Sequence, residues 1–119
     1  MARLAETYLF RAEAYLDKGQ TQKAADDINV LRARAHTKLA NASEINLDYI
    51  LDERLRELYL EEFRMATLTR LGKLYDRDKM YNPLSGKSIE PYHNLWPIPA
   101  TEITNNDEGD IEQNDGYTK

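Results

Sequence analysis

The stretch Leu4-Ala5-Glu6-Thr7-Tyr8-Leu9-Phe10-Arg11-Ala12-Glu13-Ala14-Tyr15, followed at a short distance by Gly19, decides the fold of this chain. Leu4, Tyr8, Ala12 and Tyr15 recur at steps of three and four, with Ala5, Leu9 and Leu16 beside them. That period is helical, and its apolar stripe is broad. It predicts a helix from about Arg3 to Lys18, with Gly19 as the C-cap glycine. Thr21 is placed to cap a second helix, which runs to about Ala35 and turns Ala24, Ile28, Leu31 and Ala35 inward. Two helices of this length joined by a short turn form an antiparallel hairpin.

The hairpin spacing resembles a tetratricopeptide repeat. Tyr8, Ala12, Tyr15, Gly19, Ala24 and Ile28 fall where that motif places its large, small, aromatic, turn, small and large residues. Only one such unit is visible, and repeat units need neighbours to bury their second face. A homodimer of the isolated chain is therefore an expectation.

Residues 36–46 are polar and read as a loop. A long third helix is expected from Asn46 to Gly72, with Asn46 as N-cap and Asp48 in the first turn, where the helix dipole favours a negative charge. Ile45 and Ile50 stand at the two positions of a hydrophobic staple. Leu51, Leu55, Leu58, Met65 and Leu68 carry the apolar period, and such a helix would be roughly 35 Å long.

From Asp76 onward the character changes. Pro83, Gly86, Pro91, Pro97 and Pro99 forbid long regular structure, and Asn82-Pro83 and Ser85-Gly86 are turn signals. Short extended pieces are expected between Tyr92 and Ile98. Trp96, the single tryptophan, stands among rigid prolines, as a disordered tail would not place it. The expectation is a loop-rich clasp over 73–119, with Trp96 packed beneath it as a structural residue. The fold class is all-α: a helical hairpin, a long third helix and a Pro-rich tail packed on it.

Composition is near the globular average, at 41% hydrophobic and 31% charged over 119 residues. A net charge of -5 argues against nucleic acid, which needs clustered Lys and Arg. The chain has no cysteine, which excludes disulfides and thiolate metal sites. No apolar run approaches the ~20 residues of a membrane span, and no signal peptide is visible. The abrupt helical start suggests a natural beginning further upstream.

Charged residues concentrate on the third helix. Glu53, Arg54, Glu57, Glu61, Arg64 and Arg70 lie there, and Arg54, Glu57, Glu61 and Arg64 form a stripe at steps of three and four. Paired carboxylates could serve acid–base chemistry, as in glycoside hydrolysis, if their environments differed. Interleaved arginines keep all of them ionised, which suits a structural role better. His36 and His93 have no second ligand at helical spacing and read as surface or packing residues. There is no phosphate loop, no GxSxG elbow and no implied cofactor or metal. The chain carries eight tyrosines. Tyr8 and Tyr15 occupy packing positions, whereas Tyr75, Tyr81 and Tyr92 lie near the loops and are the candidates to contact a ligand.

In order, these segments resemble the C-terminal part of the SusD/RagB family. Leu4 to Tyr15 is similar to the family's first helix motif; Ala24, Ile28, Asn29, Leu31, Arg32, Arg34 and Ala35 to its second. Ile50 to Leu58, then Glu61, Arg64, Leu68, Arg70 and Gly72, resemble its charged helix. Trp96-Pro97-Ile98-Pro99, Glu102-Ile103, Gln113-Asn114 and Gly116-Tyr117 resemble its tail. One departure is Thr67, where the family usually has Asp, which leaves the Arg64 and Arg70 neighbourhood one carboxylate short.

The resemblance implies a nutrient-binding lipoprotein on the extracellular face of the outer membrane of Bacteroidetes. Such proteins cap a SusC-like TonB-dependent transporter and help deliver oligosaccharides or peptides; they bind rather than cleave. Full members are much longer, so this chain reads as the helical scaffold, a fragment or excised domain that alone binds glycans weakly or not at all. A different class of reading is a stand-alone tetratricopeptide-like adaptor that holds a partner protein in a helical groove.

Overall fold

The computed structural model describes residues 3–118. The described residues form helices, turns and irregular segments, with no strand among them. The chain divides between Phe63 and Arg64 into two compact units.

The first unit is the hairpin and what packs on it. α1 spans Leu4–Asp17, α2 spans Thr21–Arg34 and α3 spans Leu47–Glu57. α1 closes as expected: Gly19 takes φ +68°, Gln20 N–H reaches Tyr15 C=O at 2.8 Å, and Gly19 N–H reaches Leu16 C=O at 2.9 Å. This is a Schellman closure, in which the left-handed residue aims two amides at orphan carbonyls. α2 ends in the same way around His36, at φ +52°, with Thr37 N–H on Arg32 C=O. Gln20, not Thr21, is the N-cap of α2, and no side chain caps it. Asn46 caps α3 as its sequence position predicts, accepting from Tyr49 N–H at 2.8 Å.

Small side chains let α1 and α2 approach closely. Ala12, Ala24, Ala25 and Ile28 are fully buried, and they share a cluster with Ala40, Ile45 and Ile50. The staple pair Ile45 and Ile50 is thus inside. A second cluster joins Ala5, Leu9, Leu31 and Leu58. The inner faces differ from expectation at their ends: Leu4 is 70% exposed, and Ala35 lies exposed at the C-cap of α2. The loop over 36–46 is not purely polar either. Asn29 bonds Ala40 through both amide atoms, at 2.8 and 3.0 Å, and draws it into the core.

The long third helix over 46–72 is not continuous. α3 stops at Glu57, and α4, Arg64–Arg70, begins after a turn. Leu58 C=O accepts from both Glu61 and Glu62 N–H, and Leu60 takes φ +62°. The turn is what lets Glu62 return to Arg54. Residues eight apart along one continuous helix are separated by about 12 Å in rise, too far for a direct ion pair at hydrogen-bond distance. Instead Arg54 Nε lies 2.6 Å from Glu62 Oε1. Leu55 and Met65, expected on the apolar stripe, are nearly half exposed.

The second unit holds α4, α5 (Leu74–Tyr81) and α6 (Ala100–Thr104), with 3-10 turns at Ser85–Lys87 and Pro91–Asn94. Gly72, at φ +64°, closes α4 with Lys73 N–H on Leu68 C=O at 2.8 Å. The residues from 73 on are therefore not wholly loop, since α5 and α6 lie within them. The tail folds on α5: Tyr75 N–H donates to Asn94 Oδ1 at 3.1 Å. Trp96 is the main correction here, because it is 57% exposed rather than packed.

Candidate functional site

The charged residues of α3 resolve into ion pairs that cross between elements. Glu53 is buried and lies between Arg32 Nη1 at 2.7 Å and Arg56 Nη1 at 2.9 Å. Glu57 meets Arg34 at 2.5 Å and Arg3 at 3.2 Å, and Glu61 meets Arg3 at 2.5 Å. Arg54 is 1% exposed; besides Glu62 it has the Phe10 ring 4.5 Å from its guanidinium carbon. The expected stripe along one helix does not exist, since Glu61 stands in the turn and Arg64 opens α4. Arg70 is the last residue of α4. Glu53, Glu57 and Glu61 each have an arginine beside them, and Glu57 and Glu61 share Arg3. Arg3, Arg32, Arg34 and Glu62 were not legible as partners, because their pairing depends on the hairpin register.

Elsewhere in the unit, Asp27 takes Arg11 in a bidentate pair at 2.6 and 2.7 Å. Its hydrogen bonds and charge raise the Arg11 pKa well above its ordinary value. Burial pushes the Tyr49 hydroxyl up.

The second unit builds a cavity. Asp78, on α5, accepts from Asn82 Nδ2 at 3.0 Å and from Ser85 Oγ at 2.5 Å. Asn82 Oδ1 in turn accepts the amides of Leu84 and Ser85. These bonds fasten the following turn onto the helix, and Gly86 permits the approach, since a Cβ there would stand 2.8 Å from Asp78 C=O. Opposite lies the Trp96-Pro97-Ile98-Pro99 segment. Tyr117 Oη donates to Leu95 C=O at 2.8 Å, and Asn114 Nδ2 to Trp96 C=O at 2.6 Å. Gln113 bonds both Ile98 N–H and Ile98 C=O. Between the two walls lies a cavity of about 450 Å³, with Leu74, Ile89 and Trp96 among its apolar lining and Asp78, Asn82 and His93 among its polar lining.

The tyrosines singled out from the sequence stand around this cavity's elements rather than in its lining. Tyr75 stands half-buried in the first turn of α5, and Tyr81 ends the helix exposed, with the Arg77 guanidinium 4.9 Å from its ring centre. Tyr92 stacks edge-on to Tyr117 at 5.0 Å and lies 4.2 Å from the His93 ring. Sequence position alone could not show that Tyr117, at the far end of the tail, returns to this place.

The SusD family model matches residues 1–117, nearly the whole of the chain. The chain belongs to the SusD family. Among relatives of the SusD family, it is 39% identical over 121 residues to the starch-binding protein SusD of Bacteroides thetaiotaomicron, covering 97% of this chain and 21% of that protein. It is 29% identical over 126 residues to the SusD-like protein P38 of Formosa agariphila, covering 97% of this chain and 24% of that protein. The chain thus spans about a fifth to a quarter of the length of these curated SusD relatives. No solved structure matches it at the same stringency.

Proposed function

We propose that this chain is the helical scaffold part of a nutrient-binding protein that holds oligosaccharide at the outer face of the outer membrane. In this reading the ligand passes to a TonB-dependent transporter of the SusC type, and the protein binds glycan without cleaving it. The observation that carries the reading is the likeness across 97% of the chain to a protein named for starch binding. The ion-pair geometry agrees with it: carboxylates held between arginines serve to lock helices together, not to exchange protons.

Calorimetric titration of the full-length polypeptide with maltoheptaose, a wider glycan panel and a peptide panel tests it. Binding of at least one oligosaccharide with no release of shorter sugars is the expected result. Absence of binding to every member of the panels overturns the proposal, and turnover abolished by Glu57→Gln or Glu61→Gln would replace it with an enzymatic one.

A further inference from the structure

The backbone around Trp96 is held at four points. Leu95 C=O, Trp96 C=O and Ile98 C=O each accept a hydrogen bond from a side chain of residues 113–117, and Ile98 N–H donates to Gln113 Oε1. Pro97 and Pro99 stiffen the same segment, since each fixes its own φ. Yet the residue that this framework carries is 57% exposed, and it lines the cavity rather than filling it. A rigid frame around a largely uncovered indole is the arrangement of a contact surface, because it orders the ring before any ligand arrives.

The rest of the lining states the ligand's chemistry. The cavity, at about 450 Å³, lies within the size range of small-ligand pockets, roughly 300–1,000 Å³. Among the described residues its lining includes no Lys or Arg, and Asp78 is its one carboxylate, so an anionic ligand would meet repulsion there without compensation. Each Asp78 oxygen accepts one side-chain bond and retains capacity for another. His93 accepts Glu90 N–H at Nδ1, which places the ring proton of the neutral form on Nε2, a donor. A broad aromatic face beside a carboxylate and an imidazole suits a ring that has an apolar C–H face and a rim of hydroxyls.

The geometry points to a neutral-saccharide contact site in this cavity, with Trp96 as the platform on which a sugar ring stacks and Asp78 as a hydroxyl acceptor. The inference rests on the reading that the protein binds glycan, and it adds a ligand contact to a chain otherwise assigned as scaffold. Occupied alone, a site of this size binds weakly, with a dissociation constant on the order of millimolar or above.

Trp96 is the single tryptophan of the chain, so its emission reports this site directly. Titration of the 119-residue chain with maltoheptaose is expected to shift that emission saturably. Trp96→Ala is expected to weaken binding, measured by ligand-observed NMR, roughly tenfold, and Trp96→Phe to fall between. Both variants should keep the native circular dichroism, because the indole is largely exposed. If sugar binds the chain or the full-length polypeptide while the emission and the Trp96→Ala affinity stay unchanged, the site is overturned and the glycan-binding reading stands. If no sugar binds either protein, both fall. An emission shift produced by short neutral peptides and not by sugars overturns the saccharide assignment.

Discussion

The side-chain amide of Gln113 bonds the N–H of Ile98 at 2.8 Å and its C=O at 2.9 Å, so one side chain stands where a paired strand would. Asn29 does the same for Ala40 in the first unit. Both satisfy irregular backbone that water would otherwise have to serve. Gln113→Ala removes both bonds to Ile98 and is expected to destabilise the second unit by about 2 kcal/mol. Amide hydrogen exchange at Ile98 checks it, since exchange there should accelerate while exchange in α1 and α2 stays unchanged.

Gly116 takes φ +88°, and a Cβ on it would overlap the Tyr92 ring. Gly116→Ala therefore combines an unfavourable backbone with a clash against a ring already packed on Tyr117. A loss of about 2–3 kcal/mol is expected, with loss of the Tyr117 bond to Leu95. Thermal unfolding and the NMR shifts of the Tyr92 and Tyr117 rings measure it.

His36 holds the left-handed position that Gly19 and Gly72 hold elsewhere. Its side chain is exposed, so little packing is lost on its removal. His36→Gly is expected to stabilise the first unit by about 1 kcal/mol, by relieving the Cβ of a conformation it disfavours. The thermal midpoint should rise by a few degrees; a fall would show that the imidazole makes a contribution the backbone argument omits.

Glu62 is the principal charge partner of Arg54, with Glu6 at 3.9 Å the next. Glu62→Ala leaves a fully buried guanidinium without its main counter-charge and is expected to cost about 3–5 kcal/mol. Glu62→Ala combined with Arg54→Met should recover much of this, as buried pairs often give way to apolar residues at small net cost. Denaturant unfolding of the two single variants and the double variant completes the cycle.

Glu44 takes the backbone N–H of Asn41 at 2.7 Å, and this bond is the main reason its carboxyl sits below its ordinary 4.5. A depressed folded value means that the contribution to stability is present above about pH 4.5 and is lost as pH falls through the folded value. Glu44→Gln removes that titration. Its stability should converge on that of the parent chain under acid conditions and fall below it near neutrality, as read by denaturant midpoints across pH.

Much of the first unit was legible because its signals are local. The period of α1, the left-handed glycine at 19, the Asn46 cap and the Ile45–Ile50 staple each act within a few residues, as does Gly72 in the second unit. Asn29, Asn114 and Gln113 stood in the motifs that resemble the SusD/RagB family, but their pairing with Ala40, Trp96 and Ile98 was not legible, since those partners lie 11 to 18 residues away. The cavity of the second unit was invisible for the same reason. Asp78 and Trp96 have no shared period; they meet because one turn folds onto α5 and the tail folds back.

The sequence by itself determined the all-α class, the hairpin, its Gly19 turn and the family, because helix period and the left-handed closure are written in neighbouring residues; the Thr21 cap it also suggested is not made. The break in the third helix came from elsewhere. Leu51 to Leu71 carries no proline or glycine to announce it, and the turn at 58–63 forms where Leu58 is buried in the hairpin and Glu62 meets Arg54. Trp96 shows the same division. Its prolines foretold a rigid segment, but only the tertiary structure decided that the backbone is clamped while the indole is left open, because exposure depends on which surfaces arrive from distant parts of the chain.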